Sequence, residues 1–575
     1  MRRLFMAGTA ALLAAASVAA CSSGSSSSSS SSSSASTSAS ASASASSTPA
    51  TNKAPSGTLV ISNAQGTQWT CSFNPFNPSV IATGVTFGQV YEPLMFVNTL
   101  QSGKVSPWLA SAYAWSDNNK VLTFTINNGV TFNDGTPMSA ADVAFTFNLL
   151  KKFPALDVNS VWSVLKSVTQ SGANQVVFTF SAPSVPYFFY IADQVPIVPQ
   201  HIWSKIANPV TYADSNPVGT GAFMVQPCTA QNITYVANPH YWQPGLPHIA
   251  KVLYPAFTSN DPANTYLATG QAQWGSQFIP NIQAVYASKS PDNHYWFAPI
   301  ANVSLIPNLT VPGLNDVAVR QAMAYAIDRN KVSQTGEYGE EPPANQSAIV
   351  TPTFSSWMDT AAAGQYNYSY NPTKAEQILT AAGYTKGSDG IFAKGGQKLA
   401  FTAINIGGYS DWVASMSVIQ SDLKAVGIQL TPQNLAQNDF LARLYSGNYQ
   451  LAYNNQTGGP SPYYEFRQWL YSANSAPIGK NASSNWERYS NKATDALLNA
   501  YATTTDPATQ KHIMDQLQAV VLKDVPFIPM TQEVAWYQYN TSSFTGWVTQ
   551  DNPYALPGEY LYPDAGQVLL HLAPK

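Results

Sequence analysis

Charge is what this sequence has least of. Its 575 residues include only 27 Lys+Arg and 30 Asp+Glu, about 10% of the chain, where an average globular protein carries roughly 25%. So few cations, with a formal net charge of −3, leave no electrostatic footprint for nucleic acid. Hydrophobic content is an ordinary 45%, and that content with low net charge excludes a wholly disordered chain. Histidine is scarce: His201, His240, His248, His294, His512 and His571 are the full set, and none has the His-Glu-x-x-His spacing of a zinc hydrolase. No Gly-x-Ser-x-Gly nucleophile elbow occurs. Gly390 to Gly396 leads into Gln397-Lys398, so the Lys-Ser/Thr of an ATP-binding phosphate loop is missing. These absences point away from catalysis, and no catalytic residue, metal site or cofactor is assigned. His240 and His248 sit among Pro239, Pro244 and Pro247 and read as surface or structural residues, with nickel ligation as the alternative. What fills the space left by charge is neutral: 31 Tyr, 14 Trp and 40 Pro.

Long apolar runs are missing everywhere except at the start. Arg2 and Arg3 precede an apolar stretch from Leu4 to Ala20, and Val18-Ala19-Ala20-Cys21 resembles the processing site of bacterial lipoproteins. That resemblance implies a signal peptide over residues 1–20 and acyl chains on Cys21. Several such chains would hold the protein stably on a membrane. An ordinary secretory signal with an incidental Cys21 is the alternative. Arg2-Arg3-Leu4-Phe5 weakly resembles a twin-arginine signal and leaves the export route open. Residues 21–56 form a Ser/Ala-rich linker, with unbroken serine from Ser25 to Ser34. Such a coil reaches roughly 30–35 Å, enough to lift a folded body off the bilayer. With Cys21 assigned to lipid, Cys71 and Cys228 remain as an even pair in an oxidising compartment, which predicts a disulfide between them. Two buried free thiols is the other reading.

From Gly57 to Lys575 the pattern alternates strands and helices, which predicts α/β lobes. Thr58–Ser62 and Val121–Ile126 read as strands, separated from their neighbours by turn signals such as Asn127-Asn128-Gly129 and Asn133-Asp134-Gly135. Ser139 with Asp142 predicts a capped helix start. Asn315-Asp316 opens a helix with Val319, Ala322, Met323, Ala326 and Ile327 on one face. Asn371-Pro372 and Asp506-Pro507 open two more, ending near Gly383 and before Pro526.

Several blocks then resemble the family 5 extracellular solute-binding proteins, the peptide, nickel and oligosaccharide receptors of ABC importers. They are Tyr91-Glu92-Pro93-Leu94, Val105 to Ala110, Val121 to Val143, Pro217-Val218-Gly219-Thr220-Gly221, and Asn238 to Trp242. Further along come Val319-Arg320-Gln321-Ala322 with Tyr325 to Arg329, Ala375 to Tyr384, Tyr489-Ser490-Asn491 with Asp495, and Pro526 to Met530. Asn127 and Asn133 depart from the pattern, standing where the family usually has a basic residue and a His. The resemblance implies a class II (cluster C) periplasmic-binding-protein fold: two hinged lobes plus an extra domain. The expected segments are about 57–92, 212–270 and 505–575 for the first lobe, 93–211 for the extra domain and 271–504 for the second lobe. It also implies a monomeric receptor at the outer face of the cell membrane, closing on a solute and passing it to a permease and its ATPase subunits. A sensing or adhesion lipoprotein of the same fold, or a surface hydrolase, are the rival readings.

In peptide-binding relatives a loop after the first strand meets the ligand main chain, which points to Ser79, Ile81 and Thr83. The segment after the strand at Leu451 usually carries an Asp that pairs with the peptide amino group. Here it reads Asn454, Asn455, Gln456, Thr457, Gly458, with Glu465 the next acid and a displaced-anchor candidate. A buried ammonium without a counter-charge costs several kcal/mol, whereas amides offer neutral donors and acceptors. That favours a neutral, hydroxylated ligand such as an oligosaccharide, or a capped or cyclic peptide. Tyr409 and Trp412, after Gly407-Gly408, are candidates for stacking on sugar faces, and Trp69 is a third.

Overall fold

The strand expected at Thr58–Ser62 forms as Ser56–Ser62 and lies in the middle of a seven-stranded sheet. It runs parallel to Ile249–Pro255 on one side and Trp274–Gly275 on the other. Leu59 and Ile61, two residues apart and so on one face of the strand, are fully buried. The computed structural model describes residues 54–63, 68–77, 84–101, 103–456 and 458–575. Cys21, Ser79, Ile81, Thr83 and Thr457 fall outside them.

A second sheet has five strands in the order Gln429–Leu435, Ala400–Ile406, Leu451–Asn455, Ala298–Pro307 and Ile528–Ala535. Ala400–Ile406 is parallel to both of its neighbours, whereas Ala298–Pro307 is antiparallel to both of its own. A third, four-stranded antiparallel sheet contains Val121–Ile126, whose burial alternates residue by residue as its sequence does. The helix Ala140–Lys152 packs on this sheet. Ser139 caps it, accepting from the Ala141 N–H at 3.2 Å while its own N–H donates to Asp142 at 2.9 Å. The other helix starts form likewise, with Asp316, Asn371 and Asp506 accepting from first-turn N–H groups. These caps satisfy donors that no helical carbonyl can reach.

Sheet membership departs from the expected segments in two places. Trp274–Gly275 and Asn293–Tyr295, expected in the second lobe, pair within the seven-stranded sheet; Ile528–Ala535, expected in the first, is an edge of the five-stranded one. The physical reason is that the chain crosses between sheets without a linker. Trp296 and Phe297 alone separate Asn293–Tyr295 from Ala298–Pro307, and Trp536 and Tyr537 alone separate Ile528–Ala535 from Gln538–Asn540. The two crossings lie side by side, with the Trp296 N–H donating to the Tyr537 carbonyl at 3.1 Å. Two short antiparallel connections between two sheets form a hinge, because bending there breaks few contacts.

Cys71 and Cys228 are joined by a disulfide with Cα atoms 5.7 Å apart. It fastens the segment carrying Trp69 to the turn before Asn232–Ala237.

Candidate functional site

The parallel strands Ala400–Ile406 and Leu451–Asn455 end on the same side of their sheet, and the chain beyond each end lines a cavity of about 520 Å³. Carboxyl ends of parallel strands are where open α/β sheets collect ligands. Residues following strands of the seven-stranded sheet, Asn63 and Ser276, line the same cavity. It is therefore bounded by both sheets, and its volume falls in the range of about 300–1,000 Å³ usual for small-molecule sites.

Of the residues singled out from sequence, Tyr409, Trp412, Asn454, Asn455, Gln456 and Gly458 all line this cavity. Trp69 does too, tied down by its indole N–H to the Tyr254 carbonyl at 2.8 Å. Trp412 is not a free platform: Tyr409 and Tyr453 meet it edge-on at 5.3 and 5.4 Å, leaving it 5% exposed. Asn454 and Gln456 are also buried, and among the described residues the Gln456 amide nitrogen has no hydrogen-bond partner. An unpaired buried donor costs about 1–3 kcal/mol, so it is a position that a ligand acceptor would relieve. Gly458 has a packing reason of its own, since a Cβ there would lie 2.6 Å from the Ile300 carbonyl oxygen. Glu465 does not line the cavity; it accepts from the Asn302 amide at 2.9 Å and from the Trp469 indole at 3.4 Å.

Sequence reasoning missed the acids of the wall. The amide-rich segment lacks one, but Asp411, at the start of the helix Ser410–Ala425, and Glu533, on the strand Ile528–Ala535, both reach the cavity. The block Pro526–Met530 marked that strand; nothing in it signalled that the residues beyond would turn towards ligand. Burial pushes the Asp411 carboxyl up to about 7, against hydrogen bonds that favour its charge, one of them from the Asn260 amide at 3.0 Å. Burial pushes Glu533 well above the usual range, with Glu337 and Asp411 repelling its charge. The shift favours the protonated, uncharged form of Glu533, which can donate as well as accept.

Residues 104–477 match the family described as bacterial extracellular solute-binding proteins, family 5, middle region. The chain belongs to that family. Among the family 5 relatives, the nickel-binding periplasmic protein of Escherichia coli K12 is 26% identical over 411 residues, covering 68% of this chain and 75% of that one. A glutathione-binding protein of Salmonella paratyphi A is 26% identical over 478 residues, covering 79% and 85%. A periplasmic oligopeptide-binding protein of Thermotoga maritima, solved with mannohexaose bound, superposes with a TM-score of 0.84 at 27% identity, covering 90% of this chain and 98% of that one. The fold is the class II periplasmic-binding-protein fold.

The family 5 blocks mark scaffold. Glu92 is buried and accepts from Trp108 at 2.8 Å, Tyr241 at 2.7 Å and Trp242 at 3.0 Å, so three blocks converge on one carboxylate. Gly219 and Gly221 press against the backbone of Gln89 and Val90, where a Cβ would lie 2.0–2.1 Å from carbonyl oxygens. Arg329 donates to the carbonyls of Pro529, Tyr368 and Ala324, fixing the strand that carries Glu533. Among the described residues, no group of three or more His, Cys, Asp or Glu side chains is placed to hold a metal ion, and no helix is long and apolar enough to cross a membrane.

Proposed function

We propose that this family 5 protein is a lipid-anchored extracytoplasmic receptor that captures an oligosaccharide between its lobes and delivers it to an ABC importer. One observation carries the ligand class: the wall where peptide receptors place an amine-pairing Asp offers amides instead, beside the Tyr409–Trp412–Tyr453 aromatic cluster. Amides and raised-pKa acids address hydroxyls, and aromatic edges and faces pack on apolar sugar surface. The mannohexaose-bound Thermotoga relative supports the same reading. Ser79, Ile81, Thr83 and Thr457 join the binding wall in this reading, and Cys21 carries the acyl chains. The first lobe is the body around the seven-stranded sheet and the second the body around the five-stranded one, closing about the paired crossings at 296–297 and 536–537.

Thermal shift and calorimetry on the purified protein test it, with mannohexaose, free-amino peptides, capped peptides and Ni²⁺ as probes. Binding raises the melting temperature by mass action, by about 2.7 kcal/mol of added stability at 100-fold excess over Kd. Mannohexaose is expected to shift it, and Gln456→Ala to weaken that binding about tenfold while leaving unliganded stability unchanged or improved. A strong response to a free-amino dipeptide with none to mannohexaose would refute the reading.

A further inference from the structure

One permanent charge on the cavity wall has no part in a purely neutral site. Arg467, on the helix Pro462–Leu470, lines the cavity and is 2% exposed. Among the described residues its Nε and Nη2 both donate to the Tyr187 hydroxyl, at 3.2 and 2.9 Å. The rings of Tyr187, Tyr190 and Tyr471 surround its Cζ at 5.0–5.1 Å. Among the described residues no carboxylate oxygen lies within 4.0 Å of it. Asp157 shares the wall and feels the Arg467 charge from beyond contact distance, but its two oxygens accept the Val161 and Trp162 N–H groups at 2.9 and 3.0 Å. Among the described residues the Tyr190 hydroxyl, on the same wall and 4% exposed, has no hydrogen bond of good geometry.

A guanidinium has five N–H donors in a fixed fork, and here a neutral phenol and ring faces are the partners found for them. A buried cation held that way is costly; a carboxylate matches the fork and is the strongest partner such a group takes. We infer that Arg467, with the Tyr190 hydroxyl beside it, is an anion subsite of the cavity that takes a carboxylate carried by the ligand. This rests on the cavity being the binding site and sharpens the ligand to an acidic one. The carboxylate belongs to an acidic sugar unit or to a peptide C-terminus, and the test separates these sources.

Calorimetry on the full chain at pH 7 compares two matched pairs: mannohexaose against the same sugar oxidised at its reducing end to the aldonate, and an N-acetylated tripeptide amide against its free acid. The acid member of one pair is expected to bind about tenfold or more tighter than its neutral twin. Which pair shows the preference names the source. Arg467→Met should collapse the preference to within about twofold, and Tyr190→Phe, which keeps the ring, should reduce it several-fold. The wild-type comparison and the Tyr190 variant stand even if Arg467→Met fails to fold. Acid and neutral members binding equally, or a preference that survives in folded Arg467→Met, overturns the subsite. Binding of neutral mannohexaose with no gain from oxidation overturns the subsite alone; absence of all binding overturns the oligosaccharide reading with it.

Discussion

Glu465 shows what burial does to a single carboxyl in this charge-poor chain. It is 3% exposed, and burial pushes it up to about 8, opposed by hydrogen bonds from Asn302 and Trp469. Asp411 and Asp564 rise to about 7 and Glu559 to about 8 for the same reason. In the unfolded chain all four ionise near pH 4. The native state therefore binds more protons between about pH 4 and 8, and stability falls as pH rises through that window. We predict that the melting temperature drops between pH 5.5 and 8.5, and that Glu465→Gln, which keeps an acceptor for Asn302, drops less. The expected difference at pH 8.5 is on the order of a few kcal/mol. A flat wild-type profile, or a variant that follows wild type, would show that Glu465 ionises without penalty.

Among elements, those with local chemical signatures were legible in the sequence and those made by long-range pairing were not. Ser139, Asp316, Asn371 and Asp506 cap helices because a side-chain oxygen two or three residues from free N–H groups needs no tertiary context. The amide-rich end of Leu451–Asn455 could be placed at the site because it follows a strand directly. Glu533 and Arg467 could not: a residue's distance from the cavity depends on which strands pair, and 528–535 pairs across more than 200 residues of chain. The family blocks misdirect for a related reason, since Glu92, Arg320 and Arg329 are distinctive through what they hold together rather than what they bind. The disulfide belongs at this scale as well. Closing 157 residues of chain, it removes disorder from the unfolded state, typically about 2–5 kcal/mol of stability. Cys228→Ser should lower the urea midpoint accordingly and loosen the Trp69 wall, and dithiothreitol should mimic it on wild type. A midpoint unchanged in both would mean that the bond constrains nothing.

At the scale of the whole molecule, the two largest sheets are joined by two short crossings, and the elements around them meet again beside the cavity. Asn260, at the start of the helix Asn260–Ala268, donates its N–H to the Gly408 carbonyl at 3.0 Å and its amide to Asp411 at 3.0 Å. That helix packs on Ser56–Ser62, whereas Gly408 and Asp411 follow the five-stranded sheet. These bonds exist only when the lobes are together, so they bias the hinge towards closure by about their own net worth, ~1 kcal/mol each. Asn260→Ala is expected to reduce the closed fraction without ligand, seen as a larger radius of gyration in solution scattering, and to weaken ligand binding about fivefold. Unchanged scattering and affinity would mean that closure does not depend on this contact. The buried acids have one more consequence at this scale. The formal charge of −3 counts every Asp and Glu as an anion, yet Glu465 and Glu559 stand at about 8, and Glu337, Glu341 and Glu533 are pushed well above the usual range. Burial therefore removes negative charge that the composition counts, and an anionic bilayer would repel the folded body less than the composition alone implies.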